Sequence, residues 1–246
     1  MEIFDEFYKD VESLLPKSDN LVIFGSFSNL LWARKKYLEF FENILSKFPE
    51  KNIFIPAYTY CSRRGSVFSE KLKPDPQNGA LSRVIFESTI NDSRMFRTYD
   101  EDFSYLIYKQ KEFKNESIFH RKNKSFGKDS HHQDLFSLNP IFIKMAVGLQ
   151  DGFTPAMHTE ALAVVPYRKY IELNPNNPKF YYARVEDYGN KESFKVNRTK
   201  ILSILTRNVD YVSHVKSNCE AVAIWSESFL EKSVRYLKTD PEFYRE

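Results

Sequence analysis

The stretch Val147-Gly148-Leu149-Gln150-Asp151-Gly152-Phe153-Thr154-Pro155-Ala156-Met157-His158-Thr159-Glu160 combines residue types that can move a proton beside an anion. Ile141 to Val147 is apolar and predicts a short buried strand, and two glycines then permit a tight turn. Thr154 suits the N-cap of a helix, and Pro155 suits its first position, where no N–H is needed. His158 falls about one turn inside that helix. Amides at a helix start can hold an oxyanion or a phosphate, and a neutral imidazole can take a proton near physiological pH. On spacing alone, a packed histidine on a half-buried helix fits the same residues.

A second candidate lies at Gly25-Ser26-Phe27-Ser28-Asn29, between the apolar run Leu21–Phe24 and a helix striped with Leu30, Leu31, Leu38, Phe41, Leu45 and Phe48. A strand, a Gly/Ser turn and a helix can bind a phosphate or a pantetheine amide. The turn has neither a G-x-G-x-x-G nor a Walker A lysine, which excludes the nucleotide fingerprints. Asn52–Tyr58 predicts a second strand, joined to the first by a crossover helix, so a parallel α/β layer is expected. The long aromatic run from Tyr58-Thr59-Tyr60 to Pro76 reads as a functional loop on the acceptor side.

Further along, Gly79 precedes a helix, and Arg94–Tyr108 reads as paired strands around a solvated acidic turn, Asp100-Glu101-Asp102. Residues 109–128 carry seven spaced Lys and Arg, a pattern read as a solvated loop in preference to a basic flap. His131 and His132 follow Ser130 at a helix start. Adjacent residues diverge around a helix, so the two are not a chelating pair. Tyr167–Ile171 and Lys179–Val185 predict neighbouring strands, Ser193 a helix start, Val209–Val215 a last strand, and Trp225–Leu237 a closing helix.

Composition narrows the class. With 246 residues, 42% hydrophobic and 16% aromatic, the chain can bury one large core, and a single domain over 1–246 is expected. A net charge of +3 is too small for a dedicated nucleic-acid binder and suits an anionic small ligand. Two cysteines, Cys61 and Cys219, without metal spacing argue against a disulfide framework or a zinc site, and point to a reducing compartment. Acidic residues at the N-terminus and the lack of a spanning apolar run predict a cytoplasmic protein without membrane contact.

Several segments in order resemble the aminoglycoside 3-N-acetyltransferase family and its relatives of surface-polysaccharide pathways. They are the strand and turn at Gly25-Ser26, Ile55-Pro56-Ala57-Tyr58-Thr59-Tyr60, Gly79-Ala80-Leu81, Phe96-Arg97-Thr98-x-Asp100-x-x-Phe103-Ser104, Phe126-Gly127-x-x-Ser130, Gly148-x-x-x-x-Phe153-Thr154-x-x-x-His158 and Val165-Pro166-Tyr167-Arg168. The resemblance spans about residue 20 to the C-terminus. It implies a three-layer α/β/α fold around a mixed sheet, acetyl-CoA as donor, no metal, and direct transfer to an amine of an amino sugar by a monomer or homodimer. The acceptor reading is a nucleotide-linked amino sugar; the alternatives are an aminoglycoside and, for a protein without turnover, CoA binding alone.

By the same resemblance His158 is the general base. Gly25, Ser26, Phe27, Ser104, Phe153 and Thr154 line the CoA side, and Tyr58, Thr59, Tyr60 and Asp100 the acceptor side. Two departures stand out. Relatives carry His-x-x-Glu, whereas here Glu160 is two positions after His158, and i,i+2 residues of a helix do not face each other. Glu186 and Asp187, on a later strand end, are therefore the expected orienting acids. Glu101 also stands where the family has proline.

Overall fold

The structure, a computed structural model, describes residues 5–25, 33–112, 115–146, 149, 152–173, 179–185, 196–216 and 219–245. In chain order these form α1 (Asp5–Val11), β1 (Asn20–Gly25), α2 (Arg34–Lys47), β2 (Asn52–Pro56), the one-turn α3 (Cys61–Arg64) and α4 (Ala80–Thr89). Next come β3 (Met95–Arg97), β4 (Tyr105–Tyr108), α5 (His131–Ser137), β5 (Ile141–Met145) and α6 (Pro155–Ala163). The chain closes with β6 (Arg168–Glu172), β7 (Phe180–Arg184), β8 (Tyr211–Lys216), β9 (Cys219–Trp225) and α7 (Ser226–Thr239).

Seven strands make one sheet in the order β3-β4-β2-β1-β5-β9-β8, while β6 and β7 pair apart from it. β1 runs parallel to β2 on one side and to β5 on the other. The outer pairs are antiparallel, so the sheet is mixed, as expected. Side chains alternate across a strand. Leu21 and Ile23 therefore enter one core with Phe7, Phe40, Ile44 and Ile85 of α1, α2 and α4, while Val22 and Phe24 enter another with Phe136, Ala156 and Phe229 of α5, α6 and α7. That is the three-layer arrangement. In α2 the buried residues Tyr37, Phe40, Phe41 and Ile44 follow helical spacing, and removing a wholly buried ring such as Phe40 costs about 3–5 kcal/mol.

Five sequence expectations are corrected. Val209–Val215 is not the last strand: β9 follows β8 and inserts between it and β5. Its centre, Ala221–Ile224, is buried on both faces, so it lacks the alternation that marks a half-exposed strand. Trp225 accordingly ends a strand, with the helix starting at Ser226. The segment expected to be helical after Ser193 is a 3-10 turn at Arg198–Ile204; Ser193 itself lies outside the described residues. The acidic turn is not solvated: Asp100 and Asp102 are each 1% exposed. Thr154 sits at the N-cap position but has helical dihedrals and makes no capping bond, because its hydroxyl is engaged elsewhere.

Candidate functional site

A cavity of about 390 Å³ lies at the carboxyl ends of the parallel strands. Gly25, Tyr58, Tyr60, Lys144, Gly152 and Thr154 are among its lining residues. From β1 the chain crosses to β2 on one side, and β5 later adds on the other, so strand order reverses at β1. Ligands of open α/β sheets bind in the crevice that such a reversal leaves. Lys144, paired in register with Phe24 and Val222, brings a cation into this cavity although only 4% exposed. Sequence reasoning passed over it. The available signal was a single charge inside the apolar run Ile141–Met145, where an ordinary core strand would carry none.

Three hydroxyls meet at the cavity wall. Tyr58 and Thr154 are 2.6 Å apart, Tyr58 and Tyr105 3.2 Å, and Tyr105 and Thr154 3.3 Å. Loop contacts set Tyr58 in place: its carbonyl accepts the N–H of Asp75 at 2.8 Å and the amide of Asn78 at 2.5 Å. Burial pushes the Tyr58 and Tyr105 phenols up, which keeps both protonated. Behind them, His132 Nε2 lies 3.0 Å from the Tyr105 hydroxyl, and Nδ1 lies 2.8 Å from the Ser125 carbonyl. His131, the other half of the pair, stacks on Tyr105 at 5.9 Å, and burial pushes it down to about 4 against the pull of Asp100. Both histidines are fully buried.

His158 is placed differently from its expected role. It is 1% exposed, does not line the cavity, and stacks on Phe136 at 4.7 Å. Its Nδ1 accepts the Gly127 N–H at 3.1 Å. A backbone N–H only donates, so the neutral ring carries its proton on Nε2. Burial alone pushes this imidazole down to about 3. Gly127 holds that donor in a tight place: its φ is +77°, and an added Cβ would lie 2.5 Å from the Tyr170 hydroxyl.

Glu160 does not approach His158; it is buried in an ion pair with Arg168, in keeping with the i,i+2 geometry. Ser26, Phe27, Glu186 and Asp187 lie outside the described residues. Of the other residues expected on the CoA side, Gly25 and Thr154 line the cavity, whereas Ser104 is fully buried, donating to the Ala57 carbonyl at 2.8 Å and accepting from Arg97 at 3.1 Å. Phe153 is core, edge-on to Phe24 at 5.7 Å and to Phe229 at 5.6 Å. Of the residues expected on the acceptor side, Tyr58 and Tyr60 line the cavity, and Thr59 donates instead to the Glu101 carbonyl at 2.7 Å.

Asp100, expected against substrate, is a buried organiser. One of its oxygens accepts the N–H groups of Asp102 and Phe103 and the Ser125 hydroxyl, and the other meets Lys179 at 3.3 Å. Burial would raise its pKa, but Lys179, His131 and the two amides outweigh that and hold it well below the usual carboxylate range. Three residues of the basic segment are likewise engaged within the fold: Arg121 pairs with Glu101 at 2.7 Å, Lys122 with Asp134 at 3.1 Å, and Lys124 lies over Tyr170 at 5.0 Å.

Comparison with solved structures decides the fold. An aminoglycoside acetyltransferase, AAC(3)-IVa, in a histidine-to-alanine mutant form in complex with apramycin, superposes with a TM-score of 0.66 over 97% of this chain and 93% of that one. The fold is that of the aminoglycoside 3-N-acetyltransferases. This fold also relates the chain to AAC(3)-Xa, with a TM-score of 0.65 over 98% and 93% of the two chains, and to the YokD protein from Bacillus subtilis, at 0.62 over 95% and 97%. Identities in the three pairs are 14%, 14% and 11%. No protein-family model and no curated protein matches the sequence. Over so nearly full a length, the aminoglycoside 3-N-acetyltransferase fold accounts for both halves of the sheet.

Proposed function

We propose that this chain is an acetyl-CoA-dependent N-acetyltransferase, one catalytic unit that acylates an amine of an amino sugar. The reading rests on one observation: the chain shares the acetyltransferase fold nearly end to end, and its 390 Å³ cavity sits at the strand reversal of that fold with hydroxyls and a cation on its walls. Acyl transfer to an amine asks for three things at such a place. A thioester must be held with its carbonyl open to attack, the amine must reach it uncharged, and the proton displaced from nitrogen must have somewhere to go. Lys144 and Gly25 supply a cation and close backbone approach for the anionic cofactor, and Tyr58 and Thr154 present hydroxyls to the reacting nitrogen.

For the acceptor, the net charge of +3 favours an anionic molecule such as a nucleotide-linked amino sugar over a polycationic aminoglycoside. AAC(3)-IVa has been crystallised with a gentamicin and with apramycin, and that keeps the aminoglycoside reading as the alternative. Acetyl transfer from acetyl-CoA should be screened against nucleotide-linked amino sugars and aminoglycosides side by side. Turnover with the first group alone supports the reading, turnover with the second alone selects the alternative, and a chain that neither binds CoA nor acylates any amine is no acetyltransferase.

A further inference from the structure

We infer that Arg63 is a specificity-determining residue, a fixed cation beside the cavity that binds the anionic oxygens of the acceptor. The inference rests on the amine-acylation reading above and adds the group by which the acceptor is recognised.

Arg63 and Arg64 are neighbours in the single turn of α3, yet their charges are met differently. Arg64 pairs with the buried carboxylate of Asp75. Arg63 has no carboxylate within ion-pair distance among the described residues. Its guanidinium lies instead over two phenol rings, 5.6 Å from the centre of Tyr60 and 4.9 Å from that of Tyr181 on β7. Ring faces attract this delocalised cation without taking up its N–H groups. The donor edge therefore stays open to a planar pair of oxygens, as on a phosphate or a carboxylate. Arg63 is exposed, so a ligand can reach it. Neighbouring acids are committed elsewhere, Asp75 to Arg64 and Glu101 to Arg121.

Position ties this cation to the acceptor. Tyr60 lines the 390 Å³ cavity, and its ring centre is 6.2 Å from that of Tyr58, whose hydroxyl the reading above gives to the reacting nitrogen. Arg63 thus stands one aromatic ring out from the amine, on the loop after β2, whereas Gly25 and Lys144, given to the cofactor, lie on β1 and β5. That separation suits an anion remote from the amine, such as a diphosphate on the anomeric carbon of an amino sugar. The backbone keeps the cation in place. Tyr60 has a φ of +53°, uncommon for a bulky residue, and such a conformation persists only where the surroundings impose it. Here the acidic turn does so. The amides of Thr59 and Cys61 donate to the carbonyls of Asp102 at 3.1 Å and Glu101 at 3.0 Å, and that of Ser62 to the Asp102 carboxylate at 3.0 Å. An arginine fixed in advance loses little freedom when its ligand arrives, which favours binding. The same charge repels a polycation, so selection works by attraction and by rejection.

The test follows acetyl transfer from acetyl-CoA to UDP-glucosamine, glucosamine and apramycin, and reads the ratios of their kcat/KM values. Wild type should prefer UDP-glucosamine to glucosamine, and added salt should narrow the preference. Arg63→Met keeps an unbranched side chain and removes the charge. It should lower that ratio about 10–100-fold, mainly through KM, the loss expected for one charge-assisted pair. Arg63→Lys should recover part of it, since the charge returns without the fork. Arg63→Glu should move the preference toward apramycin. CoA affinity by calorimetry and the thermal midpoint should change little in all three variants. An Arg63→Met ratio within about twofold of wild type overturns the inference, as does a wild type that prefers glucosamine or apramycin to UDP-glucosamine. A loss of about tenfold or more in the CoA affinity of Arg63→Met also overturns it, by assigning the cation to the cofactor. Failure of the amine-acylation reading looks different: wild type then acylates none of the three amines, and the inference falls with it.

Discussion

Glu160 and Arg168 form an ion pair sealed inside the protein, with side chains 0% and 5% exposed. Arg168 also lies over the Tyr182 ring at 5.6 Å, and the Glu160 charge adds to burial in raising the Tyr167, Tyr182 and Tyr244 phenols. Breaking one side of such a pair leaves the other charge buried and uncompensated. Glu160→Gln should therefore lose about 3–5 kcal/mol in denaturant unfolding, while the folded fraction turns over within a few-fold of wild type. Full stability with abolished turnover would instead restore Glu160 as the partner of His158.

Gly127 is predicted to be irreplaceable for steric reasons. The Cβ of an alanine would lie 2.5 Å from the Tyr170 hydroxyl and 3.2 Å from the Ala161 Cβ, at a φ of +77°. Gly127→Ala should destabilise by about 1–3 kcal/mol through overpacking and strain. Adding Tyr170→Phe removes the nearest clashing atom and should recover part of that loss. A stability equal to wild type in the single variant would mean the loop relaxes freely.

Asp102 gives the fold a pH dependence that a comparison of variants can isolate. Burial, with the nearby Asp100 charge adding to it, raises its pKa from 3.8 to about 6. The folded protein thus holds a proton that the unfolded chain has released. Its contribution is favourable at low pH, declines from about pH 4 to 6, and is a standing penalty above. Asp102→Asn keeps an oxygen for the Ser62 N–H, 3.0 Å away, and should gain about 1–3 kcal/mol over wild type at pH 7.5, shrinking toward pH 4. A gain independent of pH would assign the effect to something other than ionisation.

Lys144→Met tests the cation in the cavity. If the lysine faces an anionic ligand, CoA affinity measured by calorimetry should fall about tenfold or more, and the loss of affinity on adding salt should become shallower. Unchanged affinity with an unchanged salt dependence would place the CoA phosphates away from Lys144.

Much of the scaffold was legible before folding. Leu21–Phe24, Asn52–Pro56 and Ile141–Met145 are short apolar runs bounded by turn residues, and local chemistry alone marks them as buried strands. The order of small motifs from Gly25 to Arg168 carried the fold class, because each is a local turn or helix start whose residue types are set by backbone geometry. The strand β9 escaped because burial on both faces erases alternation.

The site was settled by tertiary structure. His158 and His132 are both histidines near helix starts in the sequence, and spacing cannot tell which nitrogen of either ring bears the proton. Two long-range contacts decide it: Gly127 N–H, 31 residues before His158, makes that ring a donor, while Ser125 O and Tyr105, on other elements, make His132 an acceptor. Asp100 and Lys179 are 79 positions apart and meet only when the loop after β3 packs against the start of β7. Sequence determines which groups can ionise and bond; direction and charge state depend on which partner arrives once water has been excluded.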